Sequence, residues 1–254
     1  VVKKQILVTV KAYPNPSKKY SETVCCAGVD LSNNNLVRLY PIPYRDLDNE
    51  KKFKKYSIIE VDCWKAKDDA RPESLKVYPD SIKIIDRLNT KHNWQKRKEI
   101  VLRSQIKSMC EIYKDAKEHD LSLGVIKPAK ISFDWKKQSP STAQARNACY
   151  AQLSFFNKYK DAIEEIPYNF YYTFYCAEDD NCPGHKLSII DWEIGQAYRS
   201  WRAQYKDEKV CLNKIKQKWE EITDDKKRDV HFFVGNMQRF RDIFMVLGVF
   251  YPPR

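Results

Sequence analysis

The chain is 254 residues long and carries 46 Lys and Arg against 34 Asp and Glu, a formal net charge of +12. Its 43% hydrophobic and 13% aromatic content excludes a disordered tail, and no apolar run approaches the ~18 residues that span a bilayer. A surplus of cations beside many rings points to a phosphate-bearing partner, nucleic acid before membrane, because rings stack on bases while cations pair with phosphates.

Eight cysteines in so lysine-rich a chain do not read as a disulfide framework. Val1 to Val10 is too short for a signal peptide and contains Lys3 and Lys4, so the expectation is a cytoplasmic, reducing setting with free thiols. Cys26, Cys63 and Cys110 fall within apolar patterns and read as small core residues.

From residue 5 to 85 short β-type runs alternate with turn-forming segments: ILVTV, ETVCCAGVDL, LVRLYPI, YSIIEVDCW and SIKII, separated by PNPSKK, SNNN and KDDARPES. This predicts a small barrel of the OB or SH3-like kind over residues 1–90. In the third run, alternation sends Val37 and Leu39 to one face and Arg38 and Tyr40 to the other. With Tyr44 and Arg45 close by, and Lys51, Lys52, Phe53, Lys54, Lys55 and Tyr56 following as KKFKKY, these residues form the candidate nucleic-acid-binding face. The alternative is a solvated loop with its rings tucked under the barrel.

Trp94, Val101, Ile106, Met109, Tyr113 and Ala116 recur at roughly helical spacing, predicting one long or two short helices in a connecting segment, residues 91–122. The opposite face carries Lys96, Arg97, Lys98, Arg103, Lys107 and Lys114. Arg97 and Arg103 join the candidate phosphate contacts, against the plainer reading of a wet helix face.

Residues 123–254 read as a mixed β/α half, giving an α+β, β-rich chain. VIKPAKISFDWKK suggests a strand, QSPSTAQAR a loop containing Arg146, YAQLSFF a buried run and YKDAIEEIP a helical turn. A hairpin follows, with Cys176, Cys182 and His185 in one loop between two β-type runs, the arrangement of small zinc sites. Cys149, Cys211 and His231 are the candidates for a fourth ligand, His231 first. Two helices come next, WEIGQAYRSWRAQY, capped by Asp191, and EKVCLNKIKQKWEEI, with Val210, Ile215, Trp219 and Ile222 toward the core. DVHFFVGN and IFMVLGVFYPP close the chain as strands.

No phosphate-cradling glycine loop, nucleophile elbow, H-E-x-x-H or deaminase signature is present. The expected function is therefore nucleic-acid binding, with DNA favoured, and a structural zinc in the hairpin. A second reading is a nuclease that holds Mg²⁺ or Mn²⁺ on Asp191 and Glu193, with Lys186 near the scissile phosphate and His185 close by. A third is an adaptor for an acidic protein.

Overall fold

The computed structural model describes residues 1–17, 21–139 and 166–254. Arg146, Cys149 and the segments YAQLSFF and YKDAIEE lie outside those residues. Seven strands come from the first third of the chain: β1 (Val2–Lys11), β2 (Asn15–Ser17), β3 (Ser21–Asp30), β4 (Leu36–Ile42), β5 (Ser57–Lys65), β6 (Ser74–Val77) and β7 (Lys83–Arg87). Five of them close a ring in the order β1-β3-β4-β6-β5, with β5 returning to β1. All these pairings are antiparallel except β4–β6. The predicted small barrel is present, but its closing strand is SLKV rather than SIKII, which forms β7 and pairs with β5 outside the ring. Burial along β5 alternates, sending Ile59, Val61 and Cys63 inward. Ile6, Val8, Val37 and Leu39 complete that interior.

The helical stretch after the barrel is two short helices, α1 (Lys91–Val101) and α2 (Met109–His119), with β8 (Ile106–Lys107) between them. Ile106 is exposed there rather than packed. A second sheet follows in the order β10-β11-β12-β14-β13-β9-β8, built from β9 (Leu123–Ile126), β10 (Pro128–Lys137), β11 (Tyr168–Cys176), β12 (His185–Ile189), β13 (His231–Met237) and β14 (Phe240–Phe250). Its pairs are antiparallel except β12–β14 and β8–β9. Helices α3 (Trp192–Tyr205) and α4 (Glu208–Ile222) match the predicted spans. Ile194, Tyr198, Ile215 and Trp219 pack with Tyr172, Phe232 and Val234 of the sheet. Val210 is exposed, a correction: the buried stripe of α4 is Cys211, Leu212, Ile215, Trp219 and Ile222, one position round the helix.

The sheet is buried on both faces. Phe233, Met245 and Leu247 on the face away from α3 and α4 pack against Leu7, Val10 and Ala27 of the barrel wall. This layering corrects the reading of Arg38 as outward-facing. The alternation along β4 holds, but the outer barrel face is covered, so Arg38 is only 2% exposed. It donates to Ser74 Oγ at 3.1 Å, Ser122 Oγ at 2.6 Å and the carbonyls of Ser122 and Asn236 at 2.9 and 3.3 Å. Arg38 is thus a clamp between barrel and sheet.

Candidate metal centre and candidate nucleic-acid interface

The junction of β11, its following loop and β12 brings two sulfurs and an imidazole together. Cys176 is the last residue of β11, His185 the first of β12, and Cys182 is in the loop. The fourth group is Cys110, in the first turn of α2. Ser108 fixes that turn: its side chain accepts from the Glu111 amide while Glu111 reaches back to the Ser108 amide, a capping box. Met109 and Ile112 bury the other side of the helix, leaving Cys110 facing the loop.

His185 Nε2 lies 3.6 Å from the Cys110 sulfur, 3.5 Å from that of Cys176 and 3.2 Å from that of Cys182. The Cys110 and Cys176 sulfurs are 3.9 Å apart, and all four ligand atoms fall within 4.8 Å of one another. Cys182 Sγ also accepts a hydrogen bond from the Cys176 amide at 3.3 Å. Burial pushes the Cys110 and Cys176 thiols up and the His185 imidazole down. It also opposes the Cys182 thiolate, yet backbone amides of Cys176 and Gly184 outweigh it and bring that thiol below its usual value.

Cys110 was read from sequence as a core residue. Its signal was the S-x-x-E box, which places it in the first turn beside, not on, the buried stripe. His231, the expected fourth ligand, is outside the quartet. It is 2% exposed on β13, with Nδ1 3.2 Å from the Asp229 carbonyl oxygen and its ring 6.2 Å from that of Phe250. Cys211 is buried in α4 with its thiol toward the Tyr198 carbonyl.

The KKFKKY cluster does not form one exposed face. Phe53 is fully buried, and Tyr44 is buried against it, with its hydroxyl donating to the Phe53 carbonyl. Lys51 pairs with Asp48 and Asp80, Lys52 donates to Asn49, and Tyr40 is bonded to Thr23. Arg45 is half-buried and Arg103 exposed. Lys54 remains exposed, whereas Lys55 and Tyr56 turn inward.

That inward turn builds a different site. A cavity of about 330 Å³ opens where the barrel meets α1, α3 and the end of β14. Its lining includes five cations, Lys11, Lys54, Lys55, Arg87 and Arg97, against one carboxylate, Glu193. Trp94, Trp192 and Tyr251 supply half-buried aromatic walls. Arg97 lies over the rings of Tyr56 and Trp94 at 4.0 and 4.9 Å and donates to the Leu88 carbonyl. Lys11 lies over Tyr44 and Trp192 at 4.0 and 4.7 Å. Trp94 ends a run of three residues with positive φ, after His92 and Asn93. Each such non-glycine residue costs ~1–2 kcal/mol, so the surrounding packing holds Trp94 in place at a cost. The Tyr56 hydroxyl is buried at the cavity and has no hydrogen-bond partner among the described residues.

The structure brings Asp191 and Glu193 together, but on a lysine. Lys55 Nζ is 3.0 Å from Asp191 and 3.3 Å from Glu193, and Asp191 also caps α3 by accepting from the Glu193 amide. Burial works against the Lys55 charge, yet the two carboxylates hold it protonated well above the usual lysine range. His185 belongs to the sulfur quartet instead, and Lys186 lies over the Tyr171 ring at 5.1 Å.

Two family models match the chain, each described as a domain of unknown function: DUF8758 over residues 2–103 and DUF8757 over residues 104–254. No curated protein matches it. The boundary between the models falls after α1 and before β8, so all four members of the quartet lie in the second, while the aromatic-basic cavity draws on both.

Proposed function

The chain belongs to the DUF8757 family, and we propose that it binds nucleic acid, holding an unpaired stretch of DNA at the cavity beneath Trp94. The supporting observation is the lining itself: five cations and three half-buried rings converge on one concavity. Cations at the rim, Lys54 and Arg87, meet phosphate, while the rings offer stacking surfaces to bases. A cavity of about 330 Å³ suits a nucleotide unit rather than the broad surface of a duplex. Free thiols at all seven described cysteines fit a reducing, cytoplasmic setting. Among the described residues no helix is long and apolar enough to cross a membrane.

The test is fluorescence anisotropy with labelled single-stranded DNA, single-stranded RNA and duplex DNA over a salt series. Single-stranded DNA is expected to bind more tightly than duplex, with affinity falling steeply as salt rises. Trp94→Ala should weaken binding about 5- to 150-fold, the range of one lost base stack at ~1–3 kcal/mol. Lys54→Ala should lower the logarithmic salt slope by about 0.7, one phosphate contact on a single strand. Binding indifferent to both substitutions, or none at physiological salt, would overturn the proposal; the latter favours an acidic protein partner.

A further inference from the structure

The sulfur-imidazole quartet is independent of the cavity, and its geometry supports a second assignment. We propose that Cys110, Cys176, Cys182 and His185 bind one zinc ion in a closed tetrahedral site, with His185 ligating through Nε2. A tetrahedron with Zn–S of ~2.3 Å and Zn–N of ~2.0–2.1 Å has edges of about 3.8 Å between sulfurs and about 3.6 Å between sulfur and nitrogen. The distances here are 3.9 Å for the sulfur pair and 3.6, 3.5 and 3.2 Å to the imidazole nitrogen. These four edges lie close to the ideal values, and the 3.9 Å sulfur pair is far from a disulfide, whose sulfurs bond at ~2.05 Å. Three soft thiolates and one imidazole favour zinc over hard cations such as Mg²⁺ or Ca²⁺.

All four positions are taken by protein, so the site has no place for water and its role is structural. It ties the first turn of α2 to the β11–β12 hairpin. Binding replaces the protons of the neutral thiols: three S–H bonds break, three Zn–S bonds form, and the protons pass to solvent. The resulting cluster carries one net negative charge, and the Cys176 amide already points at the Cys182 sulfur to stabilise it. Occupancy should therefore fall as pH drops and the thiolates are reprotonated.

The test uses the full chain without a histidine tag, purified under reducing conditions and analysed for metals. About one zinc per chain is expected, with Cys110→Ser losing most of it and His231→Ala keeping it. In the folded wild type, iodoacetamide should label Cys110, Cys176 and Cys182 only after a strong chelator removes the metal. If Cys110→Ser does not fold, cobalt substitution of the wild type decides instead. Intense tetrahedral bands with thiolate charge transfer support the site, whereas a weak octahedral spectrum overturns it. A folded wild type without zinc, an iron–sulfur chromophore, or zinc lost from His231→Ala but retained by Cys110→Ser would also overturn it. None of these readouts involves nucleic acid, so the cavity proposal stands or falls separately.

Discussion

Lys55, just before β5, ion-pairs across the junction to Asp191 and Glu193 of the second half. Its side chain is 7% exposed and that of Asp191 is 5% exposed, so neither charge is well hydrated. Gly248 packs over the pair: a Cβ there would sit 3.4 Å from Lys55 Nζ and 3.5 Å from an Asp191 oxygen. Removing one partner strands the other charge in a poorly solvated place, a loss of ~3–5 kcal/mol for buried pairs. Lys55→Met should accordingly destabilise the protein by about 3 kcal/mol in urea melts. Lys55→Met combined with Asp191→Asn should recover part of that loss, because Asn still caps α3 without carrying a charge. A double variant no more stable than Lys55→Met alone would show that the lysine acts through packing rather than charge. Lys54 beside it is exposed, so its substitution should leave stability within about 0.5 kcal/mol while changing the salt response of binding.

At the scale of elements, α2 shows how a short helix can be set by its ends. It has 11 residues, too few for independent stability in water, and its capping box positions Cys110. Ser108→Ala should cost about 1 kcal/mol and, by fraying the first turn, make Cys110 the most readily alkylated of the quartet. Equal protection of all three thiols in that variant would separate the cap from the site. Elements of this kind were readable in different degrees. The spans of α3 and α4 followed from apolar spacing, with the Asp191 cap at the start of α3, because those helices bury one stripe and wet the other. The barrel followed from turn-separated β runs, yet β6 was missed because four residues after a Pro-containing turn carry little pattern of their own. Three of the quartet were visible because they share one loop. Cys110 was not, since it is 66 residues before Cys176 and chain pattern does not encode such proximity. Arg38 and Phe53 were misplaced for a related reason: alternation says which residues share a face, not whether another layer covers it.

At the scale of the whole molecule, the join between barrel and sheet is polar at one end and apolar at the other, and the polar end is sensitive to acid. Arg71 donates to the Asn236 carbonyl at 3.0 Å while its guanidinium is paired with Asp69. Glu73 accepts from the amides of Ser122 and Leu123 beside the buried Arg38. Burial disfavours the Asp69 charge, but hydrogen bonds from Arg71 and Ser74 prevail and hold that carboxyl well below the usual range. Asp30 is lowered in the same way, against burial, by Lys4 and Ser32. A carboxyl whose folded pKa is depressed stabilises the fold fully above its unfolded value of ~3.9, and that contribution is lost as pH falls further. Burial raises the Asp191 carboxyl despite the nearby Lys55 charge, so this pair does not share the acid response of Asp69 and Asp30. Below pH 4 the loss of the Asp69 and Asp30 contributions should therefore dominate. Urea midpoints measured from pH 7 to pH 2.5 should thus fall most steeply below pH 4. Asp69→Asn should flatten that final limb. A final limb equally steep in Asp69→Asn would mean that the Arg71 pairing is not what couples the barrel–sheet join to acid.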